Sequence, residues 1–240
     1  ESIFTGSGKK WILNESGFAN TEVYNQQHIT PFKKLLFQRG LNSDEKVKSF
    51  INPSLDQLYD PFLLKGMAEA VERIIKALEN KDKILIYGDY DADGVSATSI
   101  MIRYLKSLKS DVHYYIPDRI DEGYGISEQA VEYISQQAFQ LLITVDCGIT
   151  ARFQIDALYE KYLTQGKSID VIITDHHQYN YHMLPEALAV INPHMPDNTY
   201  PFLNLCGAGI ALKLVQALCI KLGKPDDYKT YLDLAALATI

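Results

Sequence analysis

Cysteine is scarce in this chain of 240 residues: three are present, at 147, 206 and 219, and none forms a CxxC pair. That excludes zinc ribbons and thioredoxin-type redox motifs. Cys147 and Cys219 lie in apolar stretches and read as small core residues, so a reduced, cytoplasmic setting is expected. No apolar run approaches membrane-spanning length, and nothing after Glu1 and Ser2 resembles a secretory signal, so no membrane partner is expected. Basic residues are the minority, 23 Lys and Arg against 30 Asp and Glu, for a net charge of −7. That balance counts against a broad basic face for nucleic acid, unless the acids gather at one place to hold cations. Tryptophan occurs once, and there is neither internal repeat nor low-complexity tract. What remains, 47% hydrophobic and 22% charged, is ordinary for a globular chain able to bury a sizeable core.

Residues 1–60 read as a small, mainly helical lead-in. Lys10 to Asn14 predicts a short strand. Thr30-Pro31 before FKKLLFQRG supplies a cap, a first-turn proline and a stop at Gly40. Ser43 opens a second short helix that must end before Asn52-Pro53. Residues 61–240 are more regular. Ala68, Val71, Ile74, Ile75 and Leu78 fall at helical spacing. Strands are predicted at 83–87, 112–116, 141–145, 171–174 and 188–191. Helices are predicted at 96–108, 127–137, 151–165, 209–222 and 228–240. Strands alternating with crossover helices specify an α/β fold, a mainly parallel sheet flanked by helices. Ligands of such sheets collect beyond the carboxyl ends of the strands.

Three of those strands end in acids or imidazoles. ILIY runs into Gly88-Asp89-Tyr90-Asp91-Ala92-Asp93-Gly94, LLITV into Asp146-Cys147-Gly148, and VIIT into Asp175-His176-His177. One such Asp is most simply a helix cap. A whole set at one sheet edge cannot all be caps, and uncompensated they would repel by roughly several kcal/mol. Divalent cations are the economical compensation. Carboxylates with imidazoles and no thiolate suit Mn²⁺ or Mg²⁺. Two cations roughly 3.5–4 Å apart and sharing a carboxylate are the usual arrangement for phosphoester hydrolysis, and Asp146 on the middle strand is the natural bridge. An EF-hand loop would also begin Asp89-x-Asp91-x-Asp93-Gly94, but its twelfth position is Ile100 and a strand precedes it.

YGDYDADG, VDCGI and DHH, each closing a strand, resemble the first three motifs of the DHH phosphoesterases. GDYDADG is similar to the RecJ-like branch in particular. So are Pro117-Asp118-Arg119, Glu122-Gly123-Tyr124-Gly125, Ile191-Asn192-Pro193 and Cys206-Gly207-Ala208-Gly209, with the resemblance covering about residues 25–240. It implies metal-dependent 5′-to-3′ hydrolysis of single-stranded DNA to mononucleotides, in repair and recombination. A single-strand-binding protein and a helicase are the implied protein partners.

Carried onto this sequence, Asp89, Asp91, Asp93, Asp146 and His176 would hold metal. Asp175 would orient the histidine pair from behind, and His177 would face the scissile phosphate. Tyr87 stands where many relatives carry a histidine, which implies a weaker hold on the first cation. Arg119 suits a 5′-phosphate clamp. Gly207 and Gly209 open a helix whose amides could take a phosphate, and Tyr124 could stack on a base. His182 and His194 read as surface residues. A fourth-motif Asp is expected just past Leu237-Ala238-Thr239-Ile240. The chain is therefore expected to be a fragment truncated before that motif, weakly active or inactive alone. Two other readings stay open: a DHH phosphodiesterase of short oligonucleotides or cyclic dinucleotides, and a non-catalytic replication scaffold.

Overall fold

The computed structural model describes residues 30–240 and, before them, the backbone of two short strands. The chain divides into two compact units, Glu1–Leu58 and Tyr59–Ile240.

The first unit is not purely helical. It opens with β1 (Ile3–Gly6) and β2 (Lys9–Ile12), an antiparallel pair in which Ile3 faces Ile12. The strand expected from Lys10 thus starts one residue earlier, and Leu13 and Asn14 lie outside the described residues. α1 (Pro31–Gln38) starts with Thr30 accepting from the Lys33 amide and with Pro31 at its first position. α2 (Asp44–Ile51) starts with Ser43 accepting from the Lys46 amide and stops before Asn52-Pro53. α1 buries Leu36 and Phe37, whereas α2 buries nothing.

In the second unit α3 (Met67–Asn80) leads into the sheet. Its buried stripe is Met67, Ala70, Val71, Ile74 and Ala77. Ala68, which matched the spacing, faces solvent instead. A small residue fits either face, so the larger Met67 fixes the helix's rotation. Five parallel strands follow: β3 (Ile84–Gly88), β4 (Val112–Tyr115), β5 (Leu141–Val145), β6 (Asp170–Thr174) and β7 (Ala189–Ile191). Between or after them lie α4 (Ala92–Ser107), α5 (Glu128–Gln137), α6 (Arg152–Thr164), α7 (Gly207–Lys221) and α8 (Leu232–Thr239).

The sheet order is β4-β3-β5-β6-β7, every pair parallel. β3 and β5 are buried along their whole length, as their unbroken apolar runs require. Alternation divides their side chains between two cores. Ile84, Ile86, Leu141, Ile143, Val145 and Ile172 join α3, α4, α7 and α8 on one face. Leu85, Tyr87, Leu142, Val171 and Ile173 join α5 and α6 on the other. Cys147 and Cys219 are buried, as their apolar surroundings suggested. The chain leaves β3 for β4 on one side and returns to β5 on the other. Neighbouring strands whose connections diverge leave a crevice at their carboxyl ends, here between Gly88 and Asp146. Among the described residues no helix is long and apolar enough to cross a membrane.

Candidate metal centre

All three acidic strand ends meet at that crevice. Asp89 follows β3 and is buried, and its Oδ1 has no hydrogen-bond partner. Burial raises its pKa, offset in part by the Tyr90 amide. Asp146 follows β5, and only 1% of its surface is exposed. Its Oδ1 also lacks a hydrogen bond: His176 Nε2 approaches to 3.1 Å, but as an ion-pair contact only. Burial pushes the Asp146 carboxyl up to about 6, with His176 opposing and Asp93 and Asp91 adding to the rise. Two orphaned carboxylate oxygens in a dry crevice are costly unless a cation completes them.

Asp146 also has φ +61°, a left-handed conformation rare for a residue with a side chain. A Cβ on Gly207 would come within 2.4 Å of its carboxylate, so only glycine lets α7 begin there. A Cβ on Gly94 would likewise meet the Asp89 carbonyl at 2.5 Å, so that glycine lets α4 press onto the same strand end.

Asp175 is fully enclosed and fully partnered. Its Oδ2 accepts from the Ile149 amide, and its Oδ1 accepts from the amides of His176 and His177. His177 Nδ1 lies 2.7 Å from the same Oδ1. That hydrogen bond raises the His177 pKa against the pull of burial. The Asp146 carboxylate beside it raises that of His176 in the same way. Asn192, buried in the loop after β7, donates to the His177 carbonyl and braces the pair from below.

Ligand-capable atoms of Asp89, Asp91 and Asp146 converge within 4.8 Å, and so do those of Asp146, His176 and His177. Asp146 belongs to both groups, the position a shared ligand would take. His177, expected to face only the phosphate, is close enough to be a ligand as well.

The bland reading holds for part of the acidic string. Asp91 caps α4, its Oδ1 accepting from the amides of Asp93 and Gly94 at 2.9 Å. Asp93 caps α7 across the crevice: Gly207 and Ala208 donate to its two oxygens at 2.7 Å each. Its Oδ2 still lies 3.5 Å from His176 Nε2, at the rim of the cluster. The Gly209 amide donates to Cys206 Sγ. The amides of Gly207 and Gly209, expected to be open to a phosphate, are therefore already bonded. No local pattern announces this, because Asp93 and Gly207 are 114 positions apart.

Tyr87 does not reach the crevice. It is buried on the α5 side, stacked on Tyr115 and donating to the Gly125 carbonyl. Tyr124 is half exposed, and its hydroxyl lies 3.0 Å from His177 Nδ1. Arg119 is exposed, with its guanidinium 5.5 Å from the centre of the Tyr90 ring. His182 is exposed and His194 partly so, and neither belongs to the metal-capable groups. Glu122, which carries only a family resemblance in the sequence, gains a role here. It accepts from Tyr115, Ser127 and the Asp118 amide, pinning the 118–127 loop at the crevice rim.

Residues 83–239 match the pattern described as the DHH family, N-terminal domain. The chain belongs to the DHH family. It is 46% identical over 216 residues to the single-stranded-DNA-specific exonuclease RecJ of Bacillus subtilis, covering 90% of this chain and 26% of that protein. To the RecJ of Thermus thermophilus it is 39% identical over 178 residues, 74% of this chain and 25% of that one. This DHH chain thus spans about a quarter of the length of these relatives. A crystal structure of exonuclease RecJ bound to manganese superposes with a TM-score of 0.63 at 39% identity, covering 73% of this chain and 43% of that one. Thermus thermophilus RecJ in complex with Mn²⁺ gives 0.66 at 35% identity, covering 85% and 27%.

Proposed function

We propose that this DHH domain hydrolyses phosphodiester bonds in single-stranded DNA, from the 5′ end and with Mn²⁺ or Mg²⁺. The observation that carries the reading is the pair of orphaned oxygens, on Asp89 and Asp146, inside a converging set of acids and imidazoles. Relatives named as single-strand exonucleases, and RecJ structures holding Mn²⁺ or Mg²⁺, support it.

Asp89, Asp91, Asp146 and His176 would hold the cations, with Asp93 at their edge. When bound, a divalent cation supplies positive charge to a phosphate that becomes more negative as water adds to phosphorus. The protein's own side chains do the rest. Asp175 accepts a hydrogen bond from the Nδ1–H of His177 and fixes the ring, so a protonated His177 can release its Nε2 proton to the departing oxygen. Asp146 is held in one conformation by the hydrogen bond its backbone N–H donates to the Thr174 carbonyl. Arg119 at the rim supplies a planar cation for the 5′-phosphate. We place this chemistry in the cytoplasm, in DNA repair and recombination, with a single-strand-binding protein and a helicase as partners. The two units would correspond to a lead-in and a catalytic domain.

The test is a 5′-phosphorylated, 3′-labelled single strand given to the full-length protein with Mn²⁺. A matched duplex, a dinucleotide and the Asp146→Ala variant run alongside. Stepwise release of mononucleotides from the single strand, lost in the variant, is the expected result. Cleavage of the dinucleotide alone would move the protein to the short-oligonucleotide branch of the family. Strand binding without any cleavage would make it a scaffold and overturn the mechanism.

A further inference from the structure

Arg119 sits between two acids in sequence, Asp118 and Asp121, yet it pairs with neither. The Asp118 Oδ1 is occupied by the amides of Ile120 and Asp121, at 2.8 and 3.1 Å. Asp118 thereby shapes the turn instead of neutralising the arginine. Among the described residues no carboxylate forms an ion pair with Arg119. Its guanidinium instead lies over the ring of Tyr90, 5.5 Å from the centroid. Tyr90 is the residue between Asp89 and Asp91, in the segment joining β3 to α4. The loop carrying Arg119 is itself fixed: Glu122 and Gly123 donate to the Asp118 carbonyl, while Glu122 accepts from three donors. An unpaired guanidinium on a fixed loop, held against an aromatic ring that belongs to the acidic segment, is aimed and not merely solvated.

We propose that Tyr90 is a positioning residue for Arg119. Its ring is the platform that holds the guanidinium next to the acidic segment, where it can take the terminal phosphate of a strand whose next linkage lies in the crevice. Stacking keeps the charge near the acids without letting it pair with them. A salt bridge there would withdraw a carboxylate from the cations and the guanidinium from the phosphate. Tyr90 acts through its ring face, and its hydroxyl plays no part. The inference rests on the hydrolase reading for the identity of the phosphate, and on the stacked geometry for the role of the tyrosine.

The experiment compares the affinity of the full-length protein, with Mn²⁺, for one single strand bearing either a 5′-phosphate or a 5′-hydroxyl. Tyr90→Phe should keep the wild-type preference for the phosphate. Tyr90→Leu should reduce that preference roughly three- to tenfold, the span expected for loss of a partly exposed cation–π contact. Binding of the hydroxyl strand and of Mn²⁺ should stay at wild-type strength in both variants. In an Arg119→Ala background, Tyr90→Leu should have no further effect.

The inference is overturned if Tyr90→Leu keeps the full preference, weakens both strands alike, or still acts when Arg119 is absent. A wild-type protein that binds both ends equally removes the phosphate clamp and the inference with it. A protein that prefers the phosphate through Tyr90 and Arg119 but cleaves nothing would sustain this inference while sinking the hydrolase reading.

Discussion

The strand beginnings and the strand ends of the central sheet both gather ionisable side chains, and they treat them in opposite ways. Where β5 and β6 begin, Arg73 from α3 reaches across. Its Nε lies 2.5 Å from Asp170, its Nη1 2.9 Å from Asp82, and its Nη2 donates to the Gln140 carbonyl. One guanidinium neutralises two acids and ties α3 to two strands. At the other edge Asp89 and Asp146 are each buried with an oxygen that accepts no hydrogen bond, and the Asp146 oxygen has only the His176 ring nitrogen at 3.1 Å against it. The imidazoles beside them offset only part of that charge. Charges that only hold a fold together find a counter-charge within the chain, even where, as at Arg73 Nη1 against Asp82, no hydrogen bond accompanies it. Charges left open in a dry place are built for something that arrives from outside.

Removing the shared acid should break this contrast most sharply. Asp146→Ala is expected to lower strand cleavage by roughly three orders of magnitude or more, since the cations stabilise the transition state by several kcal/mol. Calorimetry should show Mn²⁺ affinity falling with it. Thermal stability should nevertheless hold or rise in the cation-free protein, because a desolvated carboxylate that His176 offsets only in part disappears. Asp146→Gly should be the more stable of the two variants, since glycine also accepts φ +61°. Marked destabilisation by either substitution would mean that the acid serves the fold.

Arg73→Ala should do the reverse. Leaving Asp82 and Asp170 without their cation is expected to cost about 2–4 kcal/mol in chemical denaturation. The figure is set below that for a fully buried pair because Asp170 is 45% exposed. Mn²⁺ affinity should not change, and a parallel loss would show that the two edges are energetically coupled.

Acidity should separate the edges next. With Asp146 pushed up to about 6 in the cation-free fold, the folded state takes up a proton more readily than the unfolded chain. Stability from this group is therefore present below pH about 4 and is lost as pH rises through about 6, contributing roughly 1–3 kcal/mol. The raised histidines act in the same direction. Stabilisation by Mn²⁺ should run oppositely, large at pH 7 and fading below pH about 6 as protons compete for the ligands. Melting curves across pH 4–8, with and without Mn²⁺, test both. A Mn²⁺ shift that is flat over that range would contradict the assignment of Asp146.

The smallest effect belongs to Tyr124. Tyr124→Phe should reduce turnover by about two- to threefold, with Mn²⁺ affinity intact, because its hydroxyl can only share the His177 Nδ1–H that Asp175 already accepts. An unchanged rate would leave the tyrosine to packing or base contact alone.

Much of this was legible in the sequence for physical reasons. Unbroken apolar runs at Leu141–Val145 and Val171–Thr174 fit only strands buried on both faces, and both appear in place. Parallel strands put every strand end at one edge, so acids placed there had to meet. Other features were not legible, because they arise only on packing. Asp93 caps a helix more than a hundred residues away, and that occupies the amides of Gly207 and Ala208. Asp91 caps its own helix, the alternative that a local pattern could have favoured. Tyr90 hid inside the acidic motif, where attention goes to the carboxylates. Ala68 matched the spacing of α3, but periodicity alone cannot choose between faces when the residue is small. The opening hairpin was half seen, because a four-residue strand carries little periodic signal.

The left-handed backbone at Asp146 also bears on how such a domain can change over generations. The fold holds a strained, desolvated acid there, and the close seat of Gly207 is shaped around it. A lineage that no longer needed the cation would find glycine at this position one step away and downhill in free energy. Drift from enzyme to inert scaffold would then meet no stability barrier, and only continued selection for hydrolysis would keep the aspartate in place.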